Sequence, residues 1–198
     1  MQQRHIIKIT EEMKSAAIRE AERREPHIRH WFKTGHYSLA QTNILGFIGE
    51  FAACILLGID WESNIRPNYL TIDRQDIIFK GKRVSVKTES LPRQYLTPVV
   101  SRKINDDEKY GRRLYPYGQR NLLKKYDIVI FGTVLRVNEI RLEEWLRKLD
   151  VWYLIGWTEA KKILSYKPTS IAPFGGRYPY PAFPVRTSDL KNIEELLA

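Results

Sequence analysis

Residues Tyr126 to Val134 read YDIVIFGTV, and no residue after Asp127 in this run is charged. A strand that is apolar on both of its faces must be covered on both faces. This excludes a one-sided antiparallel sheet and demands a layered fold in which other elements pack above and below. The chain holds suitable cover. From about Ser38 to Leu57, the residues Ile44, Phe47, Ile48, Phe51 and Ile55 recur at helical spacing, and Gly58 is a natural stop. Residues 10–25, TEEMKSAAIREAERRE, read as an exposed helix capped by Thr10, with Glu11 and Glu12 at its positive end and Pro26 beyond it.

A change of period follows. DIIFKGKRVSVKT reads as a hairpin: Asp76 to Phe79, a Lys80-Gly81-Lys82 turn, then Arg83 to Thr88. VWYLIGW, from Val151, reads as a further strand, with TEAKKIL as a short helix after it. Five of the ten prolines fall between Pro168 and Pro184, so that stretch is expected to be extended and irregular. Ser188 to Leu197 closes with a capped helical turn or two. The order predicts an α/β fold with a mixed central β-sheet flanked by helices. It fits one domain over 1–198: an N-terminal helical extension (1–37), a core (38–160) and a closing segment (161–198).

Composition narrows the partners. The 33 Lys and Arg exceed the 23 Asp and Glu, giving a net charge of +10, which attracts polyanions, nucleic acid first among them. A single cysteine, Cys54, excludes an internal disulfide and any four-cysteine metal or cluster site, and is most simply a core residue. The start, MQQRHIIKITEEMK, lacks an apolar secretory h-region. The most apolar stretch, Ile44 to Ile59, is interrupted by Glu50 and glycines. The expectation is an intracellular, cytoplasmic protein with no membrane partner. His27 and His30 are three apart but have no further ligands for zinc.

The chemistry-bearing residues cluster around the hairpin. Side chains alternate on a strand, so Ser85, Lys87 and Glu89 share one face while Val84, Val86 and Thr88 take the other. Pairing brings Asp76 near the middle of the second strand. A carboxylate, an amine and the Val86 carbonyl are thus expected around one point. Glu50 lies within an otherwise apolar helix, where an unpaired buried carboxylate is costly, so it is expected to face a cleft, a metal or a cation. Mg²⁺ takes oxygen ligands from one or two carboxylates plus carbonyls, waters and phosphate. Metal-assisted phosphodiester hydrolysis uses all of these parts.

These residues resemble the PD-(D/E)XK nuclease superfamily, the restriction-endonuclease-like fold. Its signature is an Asp opening a strand, a hairpin turn, then an acidic residue, an apolar residue and Lys. Here Asp76 precedes Ser85 by nine residues and Lys87 by eleven. GFIGEFAACILLG is similar to the family's first core helix, with its Glu at Glu50, and YDIVIFGTV resembles a later core strand. The likeness spans about residues 40–197 and is closest from Glu50 to Thr88. It implies a DNA endonuclease using Mg²⁺ or Mn²⁺. Glu50, Asp76, Ser85 and Lys87 would be its catalytic positions. Asp76 and the Val86 carbonyl would hold the metal, with Glu50 or Glu89 completing the set. The departure is Ser85, which stands where the family has a carboxylate, so either a migrated carboxylate compensates or catalysis is weakened or lost.

Residues 93–125 carry nine Lys or Arg against three acids, and tyrosines are interleaved among them. Cations neutralise phosphates and aromatic rings stack on bases or sugars. Arg93, Tyr95, Arg102, Lys103, Arg112, Arg113, Arg120 and Lys124 are the candidate DNA contacts. The N-terminal segment mixes arginines with five glutamates and reads as a solvated helix or as the contact of a homodimer. Two alternatives stand beside the nuclease: a catalytically inactive nucleic-acid-binding module on the same fold, and an unrelated basic protein binding RNA or a protein partner. No RNA-binding signature favours the latter.

Overall fold

A computed structural model gives the architecture and describes residues 6–25, 37–65 and 76–198. The four histidines, His5, His27, His30 and His36, lie outside the described residues, as does Arg29.

The structure is a mixed α/β fold. The apolar run forms β5 (Ile128–Leu135), seven of whose eight residues are buried. It pairs in parallel with β3 (Lys82–Leu91) and antiparallel with β6 (Val151–Glu159). A short N-terminal strand, β1 (Ile6–Lys8), adds to β6, and β2 (Ile77–Phe79) adds to β3, giving the order β1-β6-β5-β3-β2. The hairpin turn between β2 and β3 has φ of +48° at Lys80 and +74° at Gly81. Two positive φ values form a turn whose twist matches that of the flanking strands.

One face of this sheet is covered by α1 (Glu11–Arg24) and α2 (Leu39–Leu56). The α2 helix starts with a full capping box. Gln41 N donates to Ser38 Oγ, and Ser38 N donates to the Gln41 side chain. Cys54 is wholly buried within it. By length and composition Leu39–Leu56 could cross a membrane, yet 67% of it is buried inside the protein, as a core helix is. The α1 helix departs from expectation. It is not an exposed helix: Met13, Ala16, Ala17 and Ala21 join the core beneath α2. Alanines at helical spacing pack as well as larger residues when the neighbouring helix comes close, so the weak apolar signal concealed a buried face.

The opposite face is roofed by a second, three-stranded sheet of order β4-β8-β7. It comprises β4 (Arg112–Pro116), β7 (Thr169–Ile171) and β8 (Arg177–Arg186). The proline-rich stretch is therefore largely strand. Its prolines fit because β7 pairs with β8 only at Ala182 and Arg177, with a register shift between them, and Pro184 lies beyond that pairing. Short helices α3 (Arg93–Val100), α4 (Arg120–Leu123), α5 (Leu142–Arg147), α6 (Ala160–Leu164) and α7 (Glu194–Leu197) complete the layers.

The helix layer sits unusually close to the sheet at one point. A Cβ at Gly49 of α2 would overlap Thr88 Oγ1 on β3. That hydroxyl accepts from Trp152 Nε1 at 3.1 Å, and the Trp152 indole lies over Gly132, where a Cβ would overlap it as well. Gly49→Ala should lower the stability to urea by about 1–3 kcal/mol, the usual cost of overpacking a core. Gly46→Ala, in the same helix with open space around it, should be neutral or slightly stabilising.

Candidate functional site

The register Ile77↔Val84 and Phe79↔Lys82, carried one residue further, sets Asp76 opposite Ser85. Cross-strand partners share a face, so Asp76, Ser85 and Lys87 lie together. Asp76 fastens itself to the strand edge. Its backbone N donates to Val84 O at 3.1 Å, and Val86 N donates to its Oδ2 at 2.7 Å. The N–H and C=O of one strand residue point the same way, so the Val86 carbonyl is directed toward the Asp76 edge.

Tyr126, just before β5, donates its hydroxyl to Asp76 Oδ1 at 3.2 Å. Burial first, and then Asp76, raise the Tyr126 phenol well above its ordinary range, which keeps it protonated as a donor. Glu50 is buried and accepts from Asn64 Nδ2 at 3.5 Å. It acts electrostatically on Lys87, as Asp76 does. The Lys87 amine sits 4.9 Å from the centre of the Tyr115 ring. Burial holds its ammonium below the usual lysine range, Asp76 and Glu50 pull it back up, and Arg24 of α1 pushes it down. The hairpin thus sets Asp76, the Val86 edge and Lys87 together, and Glu50 of α2 acts on the same amine.

Two expected residues behave otherwise. Ser85 is on the expected face but wholly buried, and its hydroxyl lies against the Tyr115 hydroxyl. Glu89 is not available to a metal. It forms an ion pair with Arg113 of β4, which neutralises its carboxylate. Among the described residues no three His, Cys, Asp or Glu side chains converge as a metal cluster. The acidic set at the hairpin is Glu50 and Asp76.

Arg113 also departs from its assignment as a DNA contact. Only 1% of it is exposed, and it also donates to the Tyr110 carbonyl. Burial lowers its pKa to about 9, which leaves it charged at neutral pH and paired with Glu89. The other basic residues of 93–125 divide. Arg112 pairs with Asp107 at 2.6 Å, Arg102 donates to Leu190 O at 2.8 Å, and Tyr95 packs on Tyr110 with ring centres 4.7 Å apart. Arg93, Lys103, Arg120 and Lys124 are exposed.

Sequence reasoning missed Tyr115, Tyr126, Asn64 and Arg24 as neighbours of the site. Tyr126 opens the apolar run, and a parallel register between β3 and β5 would have pointed to it. The other three carry no local signal. No family model, no curated protein and no solved structure matches this chain.

The environment of Lys87 has a measurable consequence. Its folded-state pKa is depressed, so between that value and the unfolded one the unfolded chain binds more protons and stability rises with pH. Lys87→Met should therefore resist urea better than the wild type at pH 7, and the two midpoints should converge as the pH approaches 10. Glu89→Gln leaves the buried Arg113 charge unpaired and should cost about 3–5 kcal/mol in the same assay.

Proposed function

We propose that this protein is a Mg²⁺- or Mn²⁺-dependent endodeoxyribonuclease of the PD-(D/E)XK type. The observation that carries the reading is Asp76, fastened to Val86 N on the face it shares with Lys87, whose amine feels both Asp76 and Glu50. The donor chemistry fits a hard divalent cation, which takes one or two carboxylates, a carbonyl and water. Asp76, Glu50 and the Val86 carbonyl would hold the ion, and it would supply Lewis acidity at a phosphodiester. Lys87 would donate hydrogen bonds to the attacking water or to a phosphate oxygen that gains charge. The Tyr115 ring excludes solvent on one side of that amine, which strengthens its field at the phosphate. Tyr126 and Val86 N hold Asp76 at a fixed angle, so the carboxylate pays little ordering entropy when it is used.

A second reading rests on a specific observation. Ser85 is neutral and Glu89 is already paired with Arg113, so fewer carboxylates remain than the resemblance implies. This favours a catalytically inactive DNA-binding module built on the same site.

A supercoiled-plasmid nicking assay with Mg²⁺, Mn²⁺ and EDTA separates the two. The nuclease reading expects metal-dependent nicking that falls by at least about 10³-fold in both Asp76→Asn and Lys87→Ala. Wild-type nicking unchanged in Asp76→Asn, or persisting in EDTA, overturns it. Metal-independent binding without nicking supports the inactive module. Ser85→Asp adds a third carboxylate beside Asp76. It should lower thermal stability in EDTA and regain it in millimolar Mg²⁺, a shift readable without any catalysis.

A further inference from the structure

From Ala160 to Ser188 the chain contains no Asp or Glu, yet it carries Lys161, Lys162, Lys167, Arg177 and Arg186. All five side chains are exposed. Lys161 pairs with Glu159, but among the described residues Lys162, Lys167, Arg177 and Arg186 form no ion pair. Arg83, Arg112, Arg113 and Lys148 each have an acidic partner, whereas this run of 29 residues holds no acid of its own.

The run centres on the β7–β8 hairpin. Its turn is closed by Ala172 N donating to Gly176 O at 2.9 Å and Gly175 N donating to Ala172 O at 3.2 Å, with Gly175 at φ +82°. At the turn two large apolar side chains face solvent: Ile171 is 71% exposed and Phe174 is 42% exposed. Neither contributes to either core. Exposed apolar groups at a tip that carries Arg177, with Lys167 and Arg186 further along the same hairpin, match a duplex, whose phosphates take the charge and whose groove floor and base steps take the apolar contact. A membrane surface is less well matched, since two apolar residues on a hairpin bury little area.

We propose that the β7–β8 hairpin is a duplex-DNA-contacting wing. Lys167, Arg177 and Arg186 bind phosphates along the hairpin, and Ile171 and Phe174 at its tip enter the groove. This rests on the DNA partner proposed above and assigns the contact to a different segment from residues 93–125. The wing belongs to the same sheet as β4, whose Tyr115 covers Lys87, so DNA held by it lies against the layer that roofs the candidate site.

The test is fluorescence anisotropy of a labelled 20-base-pair duplex in EDTA, where cutting plays no part. Wild type, Lys167→Ala/Arg177→Ala/Arg186→Ala, Ile171→Ala/Phe174→Ala and a control, Arg19→Ala/Arg147→Ala/Lys148→Ala, are compared at several salt concentrations. The control removes the same charge from α1 and the α5 region. The proposal expects the hairpin triple variant to reduce the slope of log affinity against log salt by about 2–3, with the control nearly unchanged. The tip variant should lose about tenfold in affinity at constant slope. Equal slopes in wild type and hairpin triple variant, or an equal loss in the control, overturn the wing while leaving DNA as the partner. A tip variant that binds as the wild type does overturns the groove contact. No duplex binding by the wild type overturns the wing and the DNA partner together, and the nicking assay then judges the nuclease reading on its own.

Discussion

The rest of the structure depends on how closely α2 approaches β3. At Gly49 the helix backbone meets Thr88, and the Thr88 hydroxyl is held by the Trp152 indole, which fits only because Gly132 has no side chain. Two glycines and one indole hydrogen bond thereby set the distance between the helix layer and the central sheet. Glu50 is the next residue along the helix, so its carboxylate inherits that distance. A larger side chain at position 49 would push the helix off Thr88 and carry Glu50 away from Lys87.

The other face of the sheet is organised by charge. Arg113 is buried with Glu89 as its counter-ion, and Tyr115, two residues along β4, covers the Lys87 amine. A buried ion pair adds little net stability compared with apolar residues of the same size, but it strongly disfavours any register that separates the partners. The pair therefore aligns β4 over β3, and the aromatic cover of Lys87 follows from that alignment. Glu89 serves this alignment at the expense of any role at a cation.

Much of this was legible in the sequence. The period-two segment around Lys80-Gly81-Lys82 forms the hairpin in the expected register, the α2 helix begins at its Ser38 cap, and the apolar run is the covered strand. The α5 helix was missed, although Leu142, Trp145, Leu146 and Leu149 recur at helical spacing, and so was the acid-free run after Glu159. What was not legible depends on contacts distant in sequence. An arginine that points inward looks the same as one that points outward, so Arg113 read as a DNA contact and Glu89 as a free carboxylate. The prolines of β8 obscured a strand whose pairing with β7 is irregular across Pro179 and Pro181 and does not reach Pro184.

The second sheet also governs the order in which the site can be completed. Strand β4 is an edge strand whose one sheet partner is β8, some 70 residues later in the chain. Until β8 has been made and has paired, nothing in that sheet holds Tyr115 over Lys87 or Arg113 against Glu89. A chain emerging from the ribosome can therefore form the hairpin and its helix cover early, while the amine at its centre stays open to water. Closure of the candidate site is tied in this way to the arrival of the C-terminal strands, a built-in delay between the synthesis of Lys87 and its enclosure.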